Sequence, residues 1–253
     1  MPVFTHNMIK SSEIKKIVND YSDVRIGVLG SHSALEVMDG AKDENFQTAV
    51  FCQKGREGPY QRFGRIADEI VVLNKFKDMA SAKNQKMLRD TNTIVVPHRS
   101  LTVYLGYKTI EDSFKVPIFG NRKLFQAEER TAKKGQYYLL EKAKIKYPKL
   151  FKDPKRINKP CIVKVQEKKR PLERAFFTVS SYKDYKEKSE AKIKQGLIAR
   201  KDLEKASIEE LAIGTYMNFN FFHTPISNQV DFIGIERRLQ TNIHDYNALP
   251  AKE

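Results

Sequence analysis

At 253 residues, 40% of them hydrophobic, the chain is long enough for one large core or two smaller ones, which excludes a disordered polymer. No apolar run is long enough to span a bilayer, and the opening Met1-Pro2-Val3-Phe4-Thr5-His6 lacks the basic and apolar regions of a signal peptide, so a soluble cytoplasmic protein with no membrane partner is expected. Forty-six Lys and Arg against thirty-one Asp and Glu leave a net +15, while Cys52 and Cys161, far apart in sequence, exclude a disulfide framework and a cysteine-based zinc site.

The first helix is expected after Ser12, with Ile14, Ile17, Val18 and Tyr21 at three-four spacing. Arg25 to Leu29 is short and apolar, as a buried parallel strand should be. Gly30-Ser31-His32-Ser33 then leads into a helix through Ala34, Leu35 and Met38 that Gly40 is expected to end. A strand turning into a helix in this way presents N–H groups, hydroxyls and a favourable dipole to an anion such as phosphate, although the same Ser is equally at home as a plain helix cap.

Thr48 to Cys52, Glu69 to Leu73 and Thr93 to Val96 supply three more strands, with a loop from Lys54 to Tyr60 and a helical stretch through Met79, Met87 and Leu88 between them. Alternation of strands and helices predicts a parallel sheet with helices on both faces. Ligands of such sheets bind beyond the carboxyl ends of the strands, where His32, Lys54, Arg56 and the Pro97-His98-Arg99-Ser100 segment would arrive.

After Pro117 to Arg122 the pattern changes. An amphipathic helix through Leu124, Phe125, Glu128 and Ala132 precedes a basic connector, and the domain boundary is placed near 120, dividing the chain into residues 1–120 and 121–253. Between Lys133 and Arg174 fifteen cations face four carboxylates, a local +11 without an RNA-binding aromatic signature, so nucleic acid is not expected as a partner. Cys161 to Val165 and Ala175 to Ser180 read as paired strands around the charged loop 166–174. Lys164 inside the first is either a phosphate ligand or a lysine snorkelling from an edge strand. Helices are expected over 182–194 and 200–205. Ser207 to Gly214 carries Glu209 and Glu210, and 216–222 with 230–235 form a hairpin through Pro225 and Asn228.

Taken together, Leu29-Gly30-Ser31-His32-Ser33, Lys54-Gly55-Arg56, Val95 to Ser100, Val116 to Arg122, Ile162-Val163-Lys164 and Ile208 to Thr215 resemble the archaeal formate-dependent FAICAR synthetases (5-formaminoimidazole-4-carboxamide ribonucleotide synthetases) of the ATP-grasp superfamily. The resemblance covers nearly the whole chain. It implies an α/β fold: a Rossmann-like parallel-sheet domain that binds the ribonucleotide, followed by an ATP-grasp α+β module that is incomplete at its C-terminus.

The implied reaction is ATP-dependent formylation of the amine of aminoimidazole carboxamide ribonucleotide (AICAR) with formate, through formyl phosphate. On the matching positions Gly30, Ser31, His32, Ser33, Lys54, Arg56 and Ser100 would line the ribonucleotide site. Lys164, Glu209, Glu210, Leu211 and Glu236 would hold ATP. Mg²⁺ is implied as a cofactor, with its carboxylates expected beyond Glu253 and no metal ligand within the chain, and a homo-oligomer stays open. Two departures from the family pattern stand out: the loop Gln166 to Arg174 lacks glycine, as Arg99 likewise replaces a glycine in the second His-Gly-Ser turn, and the family pattern is expected to continue beyond Glu253. They keep two alternatives in play, an ATP-grasp ligase acting on another carboxylate and ribonucleotide amine, and a non-catalytic nucleotide- or RNA-binding relative.

Overall fold

The computed structural model describes residues 8–128, 135–165, 176–224 and 229–237, so the loop 166–174 and the chain after 237 lie outside the described residues. The fold is mixed α/β and divides into two compact units, Met1–Gln136 and Tyr137–Glu253.

In the first unit α1 (Ser11–Asn19) precedes β1 (Arg25–Leu29), α2 (Ala34–Asp43), β2 (Gln47–Gln53), α3 (Gly58–Arg62), β3 (Glu69–Leu73), α4 (Ala82–Asp90), β4 (Thr93–Val95), α5 (Arg99–Leu105) and α6 (Tyr107–Asp112). The strands form one all-parallel sheet in the order β3-β2-β1-β4, with Arg25 opposite both Gln47 and Thr93. Both faces are covered, as the alternation predicts. Val28, Val50 and Cys52 pack with Ala34, Met38 and Tyr60 on one side, and Leu29, Phe51 and Val95 pack with Met79, Leu88 and Leu101 on the other.

Several local expectations are corrected. Helix α1 starts two residues earlier than a Ser12 cap allows, because Glu13 reaches back to accept from the Lys10 N–H (3.3 Å). Helix α2 runs through Gly40 to Asp43, since Ala34, Met38 and Ala41 are buried on one stripe and that burial outweighs the propensity of one glycine. Part of the expected 54–60 loop is helical: α3 carries Pro59 at its start, where a missing N–H costs nothing. The amphipathic helix expected from Leu124 onward is a 3-10 segment over Arg122–Glu128, and residues 129–134 lie outside the described residues.

The first unit extends past the pattern change near 120 for a physical reason. Val95 exchanges backbone bonds with Pro117 and Phe119 (2.9 Å each), adding a short bridge beside β4. Arg122 then turns inward. Its guanidinium donates to the carbonyls of Ile110, Phe114 (2.8 Å) and Val116 (2.6 Å), where the chain leaves α6. Burial pulls its pKa down to about 10, which leaves it charged at neutral pH.

The second unit contains α7 (Gln136–Lys142), β5 (Cys161–Lys164), β6 (Phe176–Val179), α8 (Tyr182–Lys194), α9 (Arg200–Leu203), β7 (Ser207–Glu210), β8 (Met217–Thr224) and β9 (Gln229–Arg237). Strand β5 sits between β6 and β7, antiparallel to both, and β8 pairs with β9 as a separate hairpin. Alternation along the three-stranded sheet sorts its faces. Cys161, Val163, Phe177, Val179 and Ile208 form a core with Tyr185 and Ile193 of α8, while Ile162, Lys164, Ser207 and Glu209 share the opposite face.

Candidate functional site

Beyond the carboxyl end of β1 the chain makes a tight turn. The Gly30 N–H donates to the Phe51 carbonyl (2.8 Å), and Ser31 to the Leu29 carbonyl (2.8 Å). Glycine is needed at position 30 because a Cβ there would lie 2.7 Å from the Cys52 Cβ and 3.1 Å from the Tyr60 ring. His32 follows with φ of 29°, a left-handed conformation that a non-glycine residue adopts only at a cost, and its Nδ1 is hydrogen-bonded to the Ser33 hydroxyl (2.8 Å).

This turn and the segment after β2 enclose a cavity of about 450 Å³, of small-ligand size. It is lined by Gly30, Ser31, His32, Arg56 and Tyr60, with Leu35, Gly55 and Pro59 completing the wall. The Arg56 guanidinium rests 5.4 Å from the centre of the Phe76 ring, which holds the cation in place. Burial raises the Tyr60 phenol above its ordinary pKa, with Cys52 adding to that and Arg56 opposing it, so at neutral pH the phenol remains a neutral donor.

Four of the seven expected ribonucleotide residues, Gly30, Ser31, His32 and Arg56, therefore meet in one cavity. Ser33, Lys54 and Ser100 do not line it. Ser33 is the N-cap of α2 and its hydroxyl is engaged by His32, while the Lys54 N–H extends the ladder by donating to the Leu73 carbonyl (2.7 Å). Ser100 is buried at the start of α5. Its N–H donates to Nδ1 of His98 (3.3 Å), so Nε2 carries the proton and donates to the Leu29 carbonyl (2.9 Å). His98 thus ties the ends of β1 and β4 together. Tyr60 was not among the expected residues, and the only signal for it is an aromatic residue closing a basic, glycine-rich loop.

The second cluster lies on the polar face of the β6-β5-β7 sheet. Lys164 ends β5 directly opposite Ser207, and its ammonium meets the Glu209 carboxylate, forming an ion pair whose side chains are only 19% and 4% exposed. The Ser207 hydroxyl donates to the same carboxylate (2.9 Å), and the Tyr137 hydroxyl donates as well. Burial pushes the Glu209 carboxyl up, but Lys164, Tyr137 and Ser207 together outweigh it and leave its pKa lowered.

Glu210 points to the other face and meets Lys159 (2.8 Å), which, with the Lys149 N–H, lowers its pKa too. The Leu211 N–H donates to the Pro160 carbonyl (2.9 Å). Glu236 lies on β9 and accepts from Asn218 (3.0 Å) within the separate hairpin. The structure thus brings Lys164 and Glu209 together, while Glu210, Leu211 and Glu236 stand apart from that pair.

Because the folded pKa of Glu209 is lowered, its contribution to stability is present above the ordinary value of 4.5 and is lost as pH falls through the lower folded value. The urea midpoint of the second unit is expected to decline over that acid window, and Glu209→Gln should flatten the decline. An unchanged acid dependence in the variant would count against this coupling.

Among the described residues no group of three His, Cys, Asp or Glu is placed to hold a metal ion, and no helix is long and apolar enough to cross a membrane.

Comparison with known proteins gives these clusters a context. A family described as a protein of unknown function (DUF1246) matches residues 26–151, and a domain of unknown function (DUF1297) matches 184–253. The 5-formaminoimidazole-4-carboxamide-1-(beta)-D-ribofuranosyl 5'-monophosphate synthetase of Methanopyrus kandleri is 39% identical over 96% of this chain, and that of Methanothermobacter thermautotrophicus is 37% identical over 97%. In each case the match takes in 67% of the relative. The crystal structure of an IMP biosynthesis protein, PurP, from Thermococcus kodakaraensis shares the fold with a TM-score of 0.59 at 22% identity, over 89% of this chain and 64% of that one. Matched over 96% of its length by a synthetase at 39% identity, the chain belongs to the 5-formaminoimidazole-4-carboxamide-1-(beta)-D-ribofuranosyl 5'-monophosphate synthetase family.

Proposed function

We propose that this chain acts as an ATP-dependent carbon–nitrogen ligase of IMP biosynthesis that formylates AICAR with formate. The observation that carries the reading is the match to FAICAR synthetases over 96% of the chain. ATP would transfer its terminal phosphoryl group to a formate oxygen, giving formyl phosphate and ADP. The substrate amine would then attack the formyl carbon, form the C–N bond, lose a proton and expel phosphate.

In this reading the first unit is a Rossmann-like domain and its cavity receives the ribonucleotide. The monophosphate would lie against Ser31, His32 and Arg56, which supply a hydroxyl, a ring nitrogen and a cation. The Ala34 N–H already donates to the Ser31 carbonyl (2.9 Å), so the remaining helix-end donors lie deeper, at Leu35 and Glu36, and side chains carry most of the recognition. Glu36 in the first turn favours the helix dipole but repels an anion, which strengthens the need for Arg56.

ATP fits the polar face of the second unit. Lys164 is a partly exposed cation anchored by a buried carboxylate, and it would hold the phosphates, while Glu210 and Leu211, where the chain leaves β7, would border the nucleoside end through their backbone, the Glu210 side chain being turned to the other face. Mg²⁺ finds no ligand cluster among the described residues, so no step is assigned to it here.

Calorimetry with AICAR tests the first site. His32→Ala and Arg56→Met should each weaken binding, with one charge-assisted hydrogen bond worth about 1.5–3 kcal/mol, while Lys54→Met should leave affinity unchanged. Equal affinity across all of these proteins would refute the placement.

A further inference from the structure

A cavity of about 550 Å³ lies wholly within the second unit, on the side of the three-stranded sheet away from Lys164. Its floor is apolar, because Phe151, Tyr185, Leu203 and Ile208 reach it from the core beneath α8. Of the groups around Glu209, only Ser207 touches it. Tyr182 and Tyr185 on α8 present near-parallel rings, 6.5 Å between centres and 15° between planes, and Phe177 continues the ladder 6.4 Å from Tyr185. The outer ring, that of Tyr182, is 36% exposed, and the Lys186 ammonium stands 5.9 Å from its centre.

The charges around this cavity are unequal. Arg200 is held by Glu190, whose carboxylate accepts two bonds from the guanidinium (2.8 and 2.9 Å). Lys152 and Lys186 have no ion-pair partner among the described residues, and Glu204 is the remaining carboxylate of the lining, so two cations stand against one anion. Ser189, 4% exposed, faces the Tyr185 phenol and has no other hydrogen-bond partner among the described residues. Burial raises the pKa of that phenol and Ser189 opposes the rise, so the phenol stays protonated at neutral pH.

We propose that this cavity binds a nucleoside monophosphate, at a site separate from the two in the ligase reading and independent of that reading. The base would stack on the Tyr182 ring, the phosphate would meet Lys152 and Lys186, and the ribose hydroxyls would donate to Glu204. Inorganic phosphate engages only the lysines and a neutral aromatic only the ring, so the combination favours a ligand that carries both.

Adenosine 5'-monophosphate titrated into the 253-residue chain should slow hydrogen exchange over Tyr182–Lys194 and 150–154 in a saturable manner. Lys152→Glu and Tyr182→Ala, both at exposed positions, should each raise the half-saturating concentration about tenfold or more, through loss of a phosphate cation and of a base-stacking partner. Adenosine and ribose 5-phosphate should each bind at least about tenfold more weakly than the whole nucleotide. Lys164→Met together with Glu209→Gln, on the other face of the sheet, should leave the response in place. Four results would each overturn the proposal: no slowing over these segments, an unchanged half-saturation in either exposed variant, ribose 5-phosphate as effective as the nucleotide, or loss of the response in the double variant.

Discussion

Lys164→Met is expected to weaken ATP binding by roughly ten- to a hundredfold, the worth of one hydrogen bond to a charged group. Methionine keeps the apolar stem, so a loss of affinity reports the charge. The same change strips the buried Glu209 carboxylate of its ammonium while the Tyr137 and Ser207 hydroxyls stay on it, which destabilises the second unit as well. Folding and binding are separated by a second variant. Lys164→Met combined with Glu209→Gln removes the stranded charge and should recover stability while ATP affinity stays low. Full ATP affinity in the double variant would show that Lys164 serves only to neutralise Glu209.

Arg122→Leu should lower the stability of the first unit by on the order of 3 kcal/mol, since three carbonyls lose their donor and each one left unpaired costs about 1–3 kcal/mol. Lysine should rescue only part of the loss, because a single ammonium cannot reproduce the fork that reaches Ile110, Phe114 and Val116 together. Denaturant unfolding would locate the effect. With two compact units, the transition of the first should move while that of the second stays in place, and a shift of both would contradict the local origin of the effect.

Strands were the most legible part of the fold. β1 to β4 each present a short β-branched run, and the apolar stretches over 161–165 and 216–235 gave the later strands, because a strand buried on one or both faces writes its period directly into the sequence. The short helices α3, α5 and α6 left weaker marks. Each is too short to show a repeating stripe, and tertiary contacts decide its conformation.

The site was legible in type more than in detail. The Gly30 to Ser33 turn and the Lys164–Glu209 pair both sit among polar groups as the motifs suggest, yet Ser100 is buried with its N–H on the His98 ring and Arg122 faces the protein's own carbonyls. Sequence marks a residue as constrained without saying whether its partner is a ligand or a carbonyl. Glu209 shows the same limit: a strand carboxylate is ordinarily exposed, and only the Cα register of β5 against β7 reveals the cation that lets this one be buried.

That register has a consequence for how faithfully the second unit folds. Glu209 and Glu210 are adjacent and point to opposite faces, each meeting its own lysine, Lys164 on one side and Lys159 on the other. A slip of β7 by one residue would exchange the faces. It would carry Ile208 out of the apolar core, drive a carboxylate into it, and separate both lysines from their partners at once. Neighbouring pairings of these strands are therefore penalised on both sides of the sheet, and one register of β7 against β5 is favoured over its neighbours.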